Sequence, residues 1–147
     1  MGYTHYWTQT RNLSAGEMGQ IAHALQAIND ATDVLLAGWD GTGEPEMSFD
    51  TLGFNGCGDD GHETFRINAK RVLPFDGAPR DRLGWAFCKT ANKPYDIVVT
   101  AMLTYLVAKF DFDVGSDGNA DDWDDGVKLA SKALGEIFTN PFRKAAA

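Results

Sequence analysis

The sequence predicts an α+β protein in which one mixed or antiparallel sheet of about five short strands packs against three helices. Three observations carry that expectation. Met18, Ile21, Ala22, Leu25 and Ile28 recur at helical spacing, giving one amphipathic face. Several short segments instead alternate with a period of two, as half-buried strands do. Finally, the stretch from Pro94 to Lys109 is apolar on nearly every side, so the 94–109 helix is expected to be central and buried.

In chain order, residues 2–7 place Tyr3, His5 and Trp7 on one face of an opening strand and Thr4 and Tyr6 on the other. Ser14-Ala15-Gly16-Glu17 is a capping box, in which Ser14 accepts a free backbone N–H and Glu17 reaches back. Thr32 to Ala37 fits either an extension of that helix or a short strand. Trp39 to Pro45 is a loop. Met47 to Phe54 and Glu63 to Asn68 read as two strands joined by a glycine-rich turn from Asn55 to Gly61. Residues 74–84 form a loop, and Trp85 to Cys88 a short apolar strand.

Pro94 suits the first turn of the next helix, where its missing N–H costs nothing, and Asn92 is its expected cap. Phe110, Phe112 and Val114 alternate with Asp111 and Asp113 as a further strand. The last helix is expected from about Asp121, with Trp123, Val127, Ala130, Leu134 and Ile137 on one face and Pro141 as its stop. No repeat and no domain boundary is visible, so residues 1–147 read as one domain with a frayed tail over 141–147.

Composition narrows the function classes. A hydrophobic fraction of 44% with 23% charged residues is that of a folded protein. The formal net charge of −8 argues against non-specific nucleic-acid binding, although a local Lys/Arg cluster remains compatible with one small phosphorylated ligand. Two cysteines, Cys57 and Cys88, are too few for a disulfide framework. The opening residues lack a basic-then-apolar leader, and the apolar run from Ile97 to Phe110 is too short for a bilayer. The expected compartment is the cytoplasm, with no membrane partner. No motif asks for a cofactor, and a homo-oligomer stays open.

The strongest candidate for chemistry is Lys89-Thr90-Ala91-Asn92-Lys93-Pro94-Tyr95-Asp96, between a buried strand and a buried helix. Two ammonium groups, a hydroxyl and free N–H groups of a helix start are expected to favour an anion there. Without a glycine-rich lead it is not a P-loop. The candidate ligand contacts are Lys89, Thr90, Lys93, Tyr95, Arg66 and His5, with Tyr3, His5 or Tyr95 available to stack on a planar ring. A weaker alternative sets a metal on His62, Glu63 and Asp59 near Cys57, without any established ligand spacing. Residues 113–124 partly mimic a calcium loop but lack the bidentate Glu at its last position.

The strings Gly2-Tyr3-Thr4-His5-Tyr6-Trp7, Cys88-Lys89-Thr90 with Lys93-Pro94-Tyr95-Asp96, and Ser116-Asp117-Gly118 before Trp123 resemble a group of small uncharacterised proteins of bacteriophages and bacteria. The resemblance implies a phage or mobile-element setting and brings no catalytic residue. Three functions fit that setting. The first is a protein that holds a nucleotide or other phosphorylated anion. The second is a small metal-dependent hydrolase. The third is an acidic module whose Asp111 to Asp125 run mimics nucleic acid to occupy a host protein.

Overall fold

The computed structural model describes residues 2–143. Its elements run β1 (Thr4–Thr8), α1 (Ala15–Asp30), β2 (Leu36–Ala37), β3 (Glu46–Met47), β4 (Thr51–Gly56), β5 (Phe65–Asn68), β6 (Trp85–Lys89), α2 (Asp96–Phe110), β7 (Asp113–Ser116) and α3 (Ala120–Leu134). The class is α+β, with all strand pairings antiparallel. Among the described residues the strands number seven and divide between two sheets, where the sequence suggests one of about five. The first sheet has the order β6-β1-β7, and in the second β4 pairs with β2, β3 and β5. The extra strands are two-residue pairings, too short to show a period.

The helix α1 starts as its capping box requires. The Ser14 hydroxyl accepts the Glu17 N–H at 3.1 Å and the Glu17 carboxylate accepts the Ser14 N–H at 3.0 Å. Arg11 closes a two-pronged pair on the same carboxylate, at 3.0 and 2.8 Å, and this with the Ser14 N–H holds the Glu17 carboxyl down at about 2. Met18, Ile21, Ala24, Leu25 and Ile28 are its buried face, packed into one core with α2, α3 and both sheets.

α2 is the buried central helix, but it starts later than Pro94. Ala91 and Asn92 both have positive φ (53° and 57°), and the turn bonds Lys93 N–H to Thr90 O at 3.0 Å and Asp96 N–H to Lys93 O at 2.9 Å, so the first helical residue is Asp96. Asn92 therefore serves through its tolerance of the left-handed region rather than as a cap. α3 also differs from expectation. It stops at Leu134 on a left-handed Gly135, which leaves Ile137 94% exposed. Its Gly126 permits the close crossing with α2, because a Cβ there would lie 2.0 Å from Thr100 Oγ1.

The expected frayed tail is tied down as far as it is described. Phe142 meets the Trp123 ring at 4.8 Å, and Arg143 pairs with Asp121 at 2.7 Å and Asp124 at 2.6 Å. Residues 144–147 lie outside the described residues. Among the described residues no helix is long and apolar enough to cross a membrane.

Candidate functional site

The period of two in β1 sends His5 and Trp7 inward and Tyr6 outward, and the register then decides what each meets. His5 is opposite both Cys88 and Ser116. Its ring is fully buried, with Nδ1 2.8 Å from Ser116 Oγ and Nε2 2.7 Å from Asp96 Oδ1. The carboxylate accepts, so Nε2 carries the hydrogen. The buried Thr90 hydroxyl donates to the same Asp96 oxygen. Four residues from β1, the β6–α2 turn, α2 and β7 are thus joined through one carboxylate.

Ser116, His5 and Asp96 stand in the order of a nucleophilic relay, which no local sequence signature announces. The surroundings oppose that chemistry. Ser116 Oγ already accepts the Gly118 N–H at 2.9 Å, and His5 is walled off by the rings of Tyr3 and Trp123, each at 5.0 Å. Burial, followed by the charges of Asp96 and Asp122, pushes the Tyr3 phenol up to about 12. The arrangement is a tether between layers.

The sequence-predicted contact residues therefore separate. His5 and Thr90 are consumed by the tether. Tyr95 is buried, its phenol donating to Glu63 O, and burial raises its pKa. At the helix start the Asp96 and Val98 N–H groups are bonded within the chain, and the Asp96 carboxylate in the first turn competes with an anion. Lys89 and Lys93 form no ion pair among the described residues, and the Lys89 stem lies over Gly2. Arg66 is elsewhere, on β5, with its guanidinium 4.3 Å from the Trp39 ring centre.

The metal alternative does not assemble. Among the described residues no three His, Cys, Asp or Glu side chains converge, and the Glu63 carboxylate accepts the Lys89 N–H at 2.7 Å. The calcium-like loop is dispersed too. Asp113 lies in β7, Asp117 accepts the Thr4 N–H, and Asp124 is held by Arg143 and Asn140.

What the fold does create is a cleft of about 340 Å³ between β5 and β6, where the two sheets meet without pairing. Thr64, Arg66 and Asn68 line one wall and Trp85, Ala86 and Phe87 the other, with Trp7 and residues 72–74 completing it. Both ends are closed by backbone bonds, Glu63 N–H to Lys89 O at 3.1 Å and Gly84 N–H to Val72 O at 2.9 Å. Because Lys89 directs its N–H and C=O toward β5, the strand period directs those of Phe87 the same way. Phe87 itself is 49% exposed, and Arg66 forms no ion pair among the described residues.

Much of the cleft's lining comes from a basic stretch of the sequence. Residues 66–93 hold seven Lys or Arg against two Asp, a local +5 in a chain of −8. The other hollows are less suited to an anion. A depression of about 730 Å³ beside α1 and α2 carries Glu17 and Lys109, already paired with Arg11 and Glu136. Another of about 440 Å³ presents Asp33 and Asp60 and no cation. Trp85 and Phe87 were legible only as an apolar strand; their alternation with Ala86 and Cys88 was the signal that they share an outward face. Comparison with protein-family models, curated proteins and solved structures finds no match to this chain.

Proposed function

We propose that this protein binds a small nucleotide-type anion in the cleft between β5 and β6. The observation that carries the reading is a closed-ended, aromatic-walled cleft of about 340 Å³ lined by Arg66, whose guanidinium lies over Trp39 and forms no ion pair among the described residues. That volume is within the range of small-molecule sites, and the mixture of apolar walls with a few polar groups is what such sites use. Trp85 and Phe87 supply faces for a planar base, and Arg66 supplies a fork for phosphate oxygens. The closed ends favour a compact ligand over a through-running peptide strand.

Among the described residues the candidate metal residues of the hydrolase alternative do not converge, and Asp121 and Asp124 of the acidic run pair with Arg143, so neither alternative gains a supporting observation here. The test is thermal unfolding with a panel of nucleoside monophosphates. A ligand at a hundred times its Kd adds about 2.7 kcal/mol, a rise of roughly 5–10 °C in a chain of this size. Arg66→Ala should remove most of that rise while Lys93→Ala keeps it. If no nucleotide moves the wild-type Tm, the assignment is wrong.

A further inference from the structure

The ligand cleft has a neighbour. A second hollow of about 240 Å³ lies on the other flank of Trp85, lined by Tyr6, Thr8, Asp113 and Gly115, and Trp7 and Trp85 border both. The register explains the pairing of hollows. Tyr6 is the cross-strand partner of Phe87, and Thr8 of Trp85, so Tyr6, Trp85 and Phe87 occupy one face of the β6-β1-β7 sheet. Their rings are contiguous, Tyr6 lying 6.1 Å from Trp85 at 25° and Phe87 5.5 Å from Trp85.

We infer that the occupant of this face is a short single-stranded nucleic acid of at least two nucleotides, with Trp85 standing between successive bases. The inference rests on the nucleotide reading above and extends it across Trp85. Every base offers a π-face, so an aromatic run on an open sheet accepts consecutive bases without demanding a sequence. Charge complementarity selects the strand. The Arg82 guanidinium sits 5.4 Å from the centre of the ring of Trp85, the residue that borders both hollows, and Arg66 lines the first. Both belong to the segment of local +5. Asp113 in the second hollow repels phosphate, which turns the backbone toward the arginines and the base toward Tyr6.

Calorimetry with a mononucleotide, the matching dinucleotide and a hexanucleotide tests this. The dinucleotide should bind at least tenfold tighter than the mononucleotide, and for the hexanucleotide log K should fall against log salt at a slope of about −1.4, as expected when two of its phosphates are neutralised. Gly115→Val fills the second hollow from the Tyr6 side. A Cβ at Gly115 meets only Tyr6 Cβ, at 4.0 Å, so the strand has room for it. That variant should bring the dinucleotide down to mononucleotide affinity. Equal wild-type affinities for the two lengths, or a length gain that survives Gly115→Val, overturns the inference while leaving the cleft assignment standing. If neither length binds, the cleft assignment falls with it.

Discussion

Removing the Asp96 carboxylate tests how much of this fold hangs on one side chain. In Asp96→Ala the fully buried His5 Nε2–H and the fully buried Thr90 hydroxyl lose their shared acceptor together. Each hydrogen bond to a charged group contributes about 1.5–3 kcal/mol, and an orphaned buried donor costs a comparable amount. The Asp96 side chain is 17% exposed, so water can enter and recover part of the loss. The net cost is therefore placed at about 3 kcal/mol, a large share of the roughly 5–15 kcal/mol that stabilises a typical domain. Urea unfolding followed by circular dichroism measures it directly. Asp96→Asn keeps an acceptor oxygen and should cost about 1 kcal/mol, the worth of an ordinary hydrogen bond. The double variant with Thr90→Val should be less destabilised than the two singles added, because both remove the same contact. A loss under about 1 kcal/mol for Asp96→Ala, the scale of a surface substitution, would refute the tether.

Three further outcomes follow from the packing. The buried Cys88 thiol is pushed up from 9.0 to about 12 by burial, so the unfolded chain ionises first as pH rises, and stability present below pH 9 is lost above it. Between pH 9 and 10 the loss due to Cys88 is about 1 kcal/mol, measured by urea midpoints, and Cys88→Ala should lose that share while the slope from Tyr3 and Tyr95 remains. In the native state at pH 8 a thiol reagent should label the half-buried Cys57 and leave Cys88 untouched until unfolding. Gly126→Ala should cost about 1–3 kcal/mol in the same assay, since the added methyl meets Thr100 Oγ1 and the α2 backbone and the two helices must part. A variant as stable as wild type would mean the crossing is looser than described.

The amphipathic face of α1, its capping box and the buried character of α2 were all legible in the chain, because each depends on residues within one or two turns of each other. The start of α2 was misplaced for a related reason. Pro94 and Asn92 carry helix-start signals, yet the turn before Asp96 is fixed by Thr90 and Ala91 N–H groups bonding Tyr3 O, a partner some ninety residues away. Ile137 continued a helical period that Gly135 cut short, since one left-handed residue outweighs a spacing.

By itself the sequence determined the α+β class, the main helical faces and the placement of a basic segment in an acidic chain. Those follow from periodicity and composition, which need no long-range partner. Only tertiary structure decided what the Lys89–Asp96 run does. The β1 register carried His5 and Ser116 to Asp96, turning two of its polar groups into a buried tether, while the unpaired junction of β5 and β6 opened a cleft beside Arg66, Trp85 and Phe87. Register and sheet edges are relations between distant strands, and no local pattern encodes them.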